Sequence, residues 1–130
     1  MFRLDKRKSF LLYQYYLLGN ISNTTNENEK DNERLIWLKG CLEKEKFLRG
    51  KIAKKLKVGW EFSRLPPLEK SILLYATYEL LFNQTTNYAK VIIDQVVNFS
   101  KVYLEEIKYK YINKILDLLI NEEKTTTPEI

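Results

Sequence analysis

The scarcity of helix-breaking residues is the feature that most constrains the fold. The chain has only four glycines and three prolines among its 130 residues. No run alternates apolar and polar residues for long enough to predict a strand. Apolar side chains recur instead at the three- and four-residue spacing of amphipathic helices. The sequence therefore predicts an all-α protein of about six or seven helices.

The first helix is predicted to run from about Leu4 to Leu18, because Gly19-Asn20 is a typical helix end. The polar segment 20–30 has almost nothing to bury and is interpreted as a loop. Either Asp31 or Asn32 would then cap a second helix, since a short polar side chain can accept a bond from a free backbone N–H.

A third helix is predicted near Leu42–Leu56, with an apolar stripe that includes Phe47, Leu48 and Ile52. The break at Val58-Gly59-Trp60 ends it. Proline is favourable in a first helical turn, so the next helix should begin directly after the break.

That fourth helix, Leu68–Phe82, follows Pro66-Pro67 and is apolar almost all round, so it should lie at the centre of the fold. Two amphipathic helices follow, and the polar end of the chain, residues 122–130, is interpreted as a frayed tail. No internal linker divides the rest. We therefore predict a single helical domain over residues 1–121.

The composition argues against an enzyme, a metal site or a bound cofactor. The chain has no histidine and one cysteine, so the usual general base and the ligands of a structural zinc site are missing. Its glycines match neither the dinucleotide-binding nor the P-loop spacing. Cys41 lies among apolar residues and is interpreted as a small buried hydrophobe.

Two further features bear on where the protein acts. No segment approaches the roughly 20 apolar residues that span a bilayer, so no membrane contact is expected. Lys6-Arg7-Lys8 precedes the apolar run Phe10–Tyr13 as in a signal peptide, but Gln14 interrupts it and no cleavage site follows. We therefore expect a cytoplasmic protein.

The net charge of +5 is compatible with a polyanionic partner. The amino-terminal helix should carry several cationic, aromatic and amide side chains that suit single-stranded RNA: Arg3, Lys6, Arg7, Phe10, Tyr13 and Gln14. Taken alone, these residues favour the simpler interpretation of an exposed basic helix end.

A second basic stretch, Lys39–Lys57, holds eight Lys and Arg residues against Glu43 and Glu45. Its one aromatic residue, Phe47, belongs to the predicted apolar stripe. The stretch is therefore interpreted as a solvated lysine face rather than an RNA groove.

Four segments, in order, resemble the NusB family of bacterial transcription antitermination factors. The most characteristic is GWEFSRLPPLEKSILLYATYELL, residues 59–81. Leu12-Tyr13-Gln14 is similar to the family's L-Y-Q. Lys90–Val97 with Ser100-Lys101 looks like its K-V-x-I-N-E-A-V and A-K segments, and Lys110–Asp117 looks like its F-V-N-G-V-L-D segment.

The resemblance implies two small helical bundles packed together. It implies a protein that binds boxA-type RNA together with the small-subunit ribosomal protein known as NusE, within a polymerase complex that resists termination on ribosomal RNA operons. RNA would contact the amino-terminal helix and a second surface, and we expect the contacts at Arg3, Lys6, Arg7, Tyr13, Gln14, Lys101, Lys110 and Tyr111. Glu69 matches a position at the protein-partner surface.

Two alternatives stay open at this stage. One is an accessory role in ribosomal RNA maturation, because the same fold serves as the RNA-binding domain of some ribosomal RNA methyltransferases. The other is a helical module, such as a homodimer, that interacts only with protein.

Overall fold

The all-α prediction is confirmed by the computed structural model, which describes residues 2–19, 29–83 and 89–126. Within these ranges there is no strand, a 3-10 turn spans Phe62–Arg64, and a π-helical turn, Glu79–Asn83, continues the fourth helix. The six α-helices are α1 (Lys6–Leu18), α2 (Glu29–Glu43), α3 (Glu45–Ala53), α4 (Pro67–Tyr78), α5 (Ala89–Tyr103) and α6 (Glu106–Thr126).

Helix α4 is the centre of the fold, as its sequence predicts. It packs against α1, α3, α5 and α6. All seven residues from Ser71 to Thr77 are buried, so no face of this stretch meets solvent. Since α1, α2 and α3 pack in succession and α5 packs against α6, two groups of helices meet on α4.

Helix α1 ends where the sequence predicts but begins later. Gly19 adopts φ 78°, a conformation that suits glycine, and its N–H donates to the Tyr15 carbonyl at 2.8 Å. At the other end, α1 begins at Lys6 and not at Leu4, so residues 2–5 form an extended lead-in.

Asp5 sets the start of α1 through three contacts. Its carboxylate accepts a bond from the Arg7 N–H at 3.0 Å and forms an ion pair with Arg34 Nε at 2.8 Å. Its own N–H donates to the Tyr75 hydroxyl at 2.8 Å. Burial raises the pKa of Asp5, but the hydrogen bonds from Arg34 and the Arg7 N–H outweigh it, and the pKa lies below its ordinary value.

Helices α2 and α3 differ from their predicted bounds. Helix α2 begins at Glu29, because glutamate and lysine continue a helix readily, and Asp31 therefore lies inside its first turn rather than capping it. Asn32 likewise lies within α2. The predicted third helix is shorter, since α3 runs only from Glu45 to Ala53.

Phe47 is not part of the core stripe. Leu48 and Ile52, one turn apart, are fully buried, while Phe47 is 51% exposed. Adjacent residues point about 100° apart around a helix, so Phe47 falls outside the seam that Leu48 and Ile52 define. The assignment of Phe47 to the apolar stripe was wrong.

The carboxyl-terminal helix passes the predicted end of the domain. Helix α6 continues to Thr126 rather than ending at residue 121, and Glu122 Oε1 lies 3.2 Å from Lys55 Nζ. This contact ties the last turns of α6 to the residues that follow α3. Most of the predicted loop, residues 20–28, and the last four residues of the predicted tail, 127–130, lie outside the described residues.

Leu12→Ala should lower the free energy of unfolding by about 3 kcal/mol, because it leaves a cavity where α1 meets the core. Leu12 is fully buried, whereas Leu17 on the same helix is 56% exposed. The matched Leu17→Ala variant should change stability by no more than about 0.5 kcal/mol. Urea denaturation measures both, and equal losses would contradict the packing described for α1.

Asp5→Asn should reduce the loss of stability in acid. A carboxylate with a depressed folded-state pKa stabilises the protein fully above its unfolded pKa, and that contribution disappears as the pH falls through the folded value. The amide keeps a capping oxygen but cannot titrate. Unfolding free energies measured from neutral pH to about pH 2.5 should therefore fall less steeply for the variant. Asp94→Asn, on the exposed face of α5, is the control.

Candidate nucleic-acid interface

The segment that precedes α1 is fixed to α5 by the side chain of Gln95. The Gln95 Oε1 atom accepts from the Leu4 N–H at 2.8 Å, and Nε2 donates to the Phe2 carbonyl at 2.9 Å. The Phe2 ring is buried, and its centroid lies 6.5 Å from that of Tyr75. Arg3 lies between these two anchored residues, so its backbone is held on both sides.

The three predicted amino-terminal cations are all exposed to solvent. Lys6 and Arg7 occupy the first turn of α1. Arg3 was predicted on the same helix but lies on the lead-in that precedes it. Lys6 also borders a cleft of about 340 Å³ between the lead-in and α5, and the other lining residues are Leu4, Gln95, Asn98, Phe99, Val102 and Tyr103.

Tyr103 lines this cleft, and the exposed ring of Phe10 packs against two of the lining residues. Phe10, on α1, is 40% exposed, and its centroid lies 6.2 Å from that of Phe99 and 6.1 Å from that of Tyr103. Tyr103 is itself 45% exposed. Rings with a free face beside cations are the usual means of holding unstacked bases. We call Arg3, Lys6, Arg7, Phe10 and Tyr103 the amino-terminal surface.

Sequence reasoning missed Tyr103. The available signal was its position one turn after Phe99 on an amphipathic helix. That spacing alone suggests a buried pair. Tyr103 is the last residue of α5 and stays 45% exposed, although Phe10 of α1 packs against its ring.

The remaining residues predicted on α1 and α5 are less exposed or engaged in contacts. Tyr13 and Gln14 are half-buried on α1. Lys101 is exposed on α5, one turn after Asn98, and its ammonium lies 5.6 Å from the ring centroid of Tyr109. Lys101 thus extends from the helix that forms one wall of the cleft.

The structure places Lys110 and Tyr111 in different surroundings. Lys110 is exposed and forms an ion pair with Glu106, whose hydrogen bond raises the pKa of Lys110. The hydroxyl of Tyr111 accepts a bond from the Lys57 N–H at 2.9 Å, and its ring centroid lies 5.0 Å from that of Trp60. Tyr111 therefore belongs with Trp60 rather than with the amino-terminal surface.

Glu69 lies in the first turn of α4, at the bottom of a second cleft. Its side chain is nearly buried, and Oε1 is 3.8 Å from Lys108 Nζ. Burial raises the pKa of Glu69, while the nearby ammonium of Lys108 lowers it in part. The cleft has a volume of about 240 Å³ and is lined by Gly59, Trp60, Glu61, Arg64, Leu65, Pro66, Glu69 and Lys108.

The two clefts use different chemistry. The first is lined by one cation, Lys6, and aromatic rings, with no carboxylate among the described residues that line it. The second is lined by two carboxylates, an arginine, a lysine and the half-exposed indole of Trp60. Trp60 borders the second cleft and also contacts Tyr111, so Tyr111 and Glu69 lie on the same side of the protein.

Metal ligands, membrane spans and the cysteine concern the part of the chain that the structure describes. It contains no cluster of three or more side chains that could hold a metal ion. None of the described helices is long and apolar enough to cross a membrane. Cys41 is fully buried, as predicted, and burial raises the pKa of its thiol.

Two proteins that are similar in sequence to this chain carry the same name. The chain is 31% identical to the "Transcription antitermination protein NusB" of Sulfurimonas denitrificans over 122 residues, which cover 87% of this chain and 90% of that protein. It is 38% identical to the protein of the same name from Carboxydothermus hydrogenoformans over 79 residues, 61% of this chain but only about half (54%) of that relative. No solved structure matches the chain.

The model of the NusB family matches residues 8–121. That range includes all the helices described above except the first two residues of α1 and the last five of α6. It also includes both clefts, apart from Leu4 and Lys6. The match covers most of the chain, and the protein therefore belongs to the NusB family.

Proposed function

We propose that this protein binds boxA-type single-stranded RNA through its amino-terminal surface. The observation that carries the proposal is that three cations, Arg3, Lys6 and Arg7, are exposed at the start of α1. Lys6 lines a cleft together with Tyr103, and the exposed ring of Phe10 packs against Tyr103. Guanidinium and ammonium groups neutralise phosphates, while the rings offer faces on which unpaired bases stack.

The anchored lead-in is suited to this task. Gln95 and Tyr75 fix the backbone around Arg3 and Asp5 before any ligand arrives. A surface that is ordered in advance loses less conformational entropy on binding, so more of the contact energy contributes to affinity. Asp5 is paired with Arg34, which leaves the nearby cations available to phosphate.

The Glu69 cleft is the proposed surface for the NusE-type small-subunit ribosomal protein. A basic side chain of the partner could replace Lys108 as the counter-ion of Glu69, and the exposed ring of Trp60 offers an aromatic contact of the kind enriched at interface hot spots. RNA and protein would then bind to different surfaces. Such a complex would join the polymerase assembly that resists termination on ribosomal RNA operons.

Replacing Arg3, Lys6 and Arg7 together with alanine should weaken binding of a boxA-type RNA and reduce its salt dependence. If each cation contacts one phosphate, the slope of log K against log salt should become shallower by about 2. Fluorescence anisotropy at several salt concentrations measures both quantities. Alanine at Lys46, Lys90 and Lys114, all exposed elsewhere, is the charge-matched control. The proposed RNA site is wrong if both triple variants behave alike.

Glu69→Gln should weaken binding of the NusE-type ribosomal protein by about tenfold, because a hydrogen-bonded charge at an interface contributes more than about 1 kcal/mol. Its binding of RNA alone should not change. Calorimetry with the purified ribosomal protein provides the measurement, and Glu105→Gln, on an exposed residue just before α6, provides the control. Unchanged partner affinity for Glu69→Gln would place the partner elsewhere.

A further inference from the structure

Helix α3 carries a second cationic face that the amino-terminal surface does not include. Lys44, Phe47, Lys51 and Lys54 follow one another at spacings of three, four and three residues. This spacing places the four side chains in approximately one line. Phe47 and Lys51 lie on α3, while Lys44 and Lys54 flank its two ends. Leu48 and Ile52 face the core, whereas the Phe47 ring is half-exposed. We call Lys44, Phe47, Lys51 and Lys54 the α3 stripe.

A second aromatic ring lies beside the α3 stripe. Phe82, in the turn that continues α4, packs edge to face against Phe47 with centroids 5.8 Å apart. Phe47 is 51% exposed and Phe82 is 42% exposed. Two large apolar rings in contact with each other, each with about half its surface in water, form a small aromatic platform.

Lysines cover this platform loosely. Lys44 Nζ lies 5.3 Å from the ring centroid of Phe82, and Lys51 Nζ lies 5.6 Å from that of Phe47. A base stacked on a protein ring contributes more to binding than an exposed cation–π contact contributes to stability. A nucleic-acid base would therefore displace the lysine from the ring face, and the released ammonium could then contact phosphate.

The carboxylates near the α3 stripe pair with residues outside it. Glu45 accepts a hydrogen bond from the Tyr16 hydroxyl at 3.0 Å and lies 3.8 Å from Arg49 Nε. Glu122 forms an ion pair with Lys55, although Lys51 and Lys54 of the stripe also lower its pKa. The α3 stripe itself contains three lysines and no carboxylate, so its own charge attracts an anion.

We propose that the α3 stripe and Phe82 form a second contact for single-stranded RNA, one that binds without sequence preference. The proposal rests on the proposed function only in taking RNA as the strand that this protein meets. Protein interfaces are depleted in lysine at their centres, whereas single-strand grooves combine lysines with stacking rings. The composition of the stripe therefore favours RNA over a protein partner.

The test uses the full chain with Arg3, Lys6 and Arg7 replaced by alanine, so that the amino-terminal surface cannot mask the result. Oligouridine without a boxA-type sequence is the probe. Phe47→Leu keeps an apolar side chain but removes the ring, and should weaken binding about tenfold. Phe47→Trp keeps a stacking face and should bind at least as tightly as the parent. Leucine and tryptophan variants of equal affinity would overturn the proposal.

The lysines provide an independent readout. Lys44→Gln and Lys54→Gln should each make the slope of log K against log salt shallower by about 0.7, the value for one phosphate contact with a single strand. Lys46→Gln is the matched control, because Lys46 is exposed on the same helix but points about 120° away from the stripe. Equal slopes for all three variants would also overturn the proposal. If Phe47→Leu proves unstable, the salt dependence of the lysine variants tests the proposal by itself.

Failure of the proposed function gives a different pattern. If the protein with no substitutions fails to bind a short boxA-type RNA, the proposed amino-terminal site is wrong. The α3 stripe would remain supported as an RNA contact if substitutions at Phe47 and Lys54 weakened the binding of oligouridine. Conversely, the short RNA could bind tightly while Phe47→Leu leaves the binding of oligouridine unchanged. That result would contradict the proposal for the α3 stripe but not the amino-terminal site.

Discussion

The structure depends on the burial of α4 on every side. A helix whose residues 71–77 all avoid water needs apolar neighbours on each face, and α1, α3, α5 and α6 provide them. Two of the polar groups in and next to this helix form hydrogen bonds within the protein. Ser71 Oγ donates to the Leu68 carbonyl of the same helix at 2.7 Å, and the buried carboxylate of Glu79 accepts from Trp37 Nε1 at 3.0 Å. The second bond joins α2 to the turn that continues α4.

That central packing extends to the surface through Tyr75. Its ring is buried in the core, while its hydroxyl accepts a bond from the Asp5 N–H at the start of α1. Gln95, on α5, holds the two residues on either side of Arg3. The exposed cations are thus positioned by side chains that the core or a neighbouring helix has already fixed. A change in how α5 packs on α4 would move the backbone of Arg3 without altering any charge.

The sequence predicts the features that depend on local chemistry and misses those that depend on distant contacts. Gly19 ends α1 as predicted, because the left-handed turn is a property of glycine itself. By contrast, Gln95 bonds to residues more than 90 positions away, and no local pattern indicates that. The exposure of Phe47 and Tyr103 depends on which neighbouring helix covers each ring. Tyr111, predicted with the RNA contacts, lies beside Trp60 for the same reason.

The two basic surfaces differ in the kind of cation they carry, and that difference suggests different kinds of recognition. The amino-terminal surface includes two arginines, Arg3 and Arg7, and a planar guanidinium can donate to two acceptors at once. Such a donor can favour one arrangement of acceptors over another, which is a requirement for reading sequence. The cations of the α3 stripe are all lysines, which are long and flexible, and two of them lie over ring faces. They can follow a phosphate wherever the strand places it, so the stripe adds affinity without selecting bases. A protein with both surfaces would recognise one short segment of RNA through its amino terminus and hold the adjoining strand through α3.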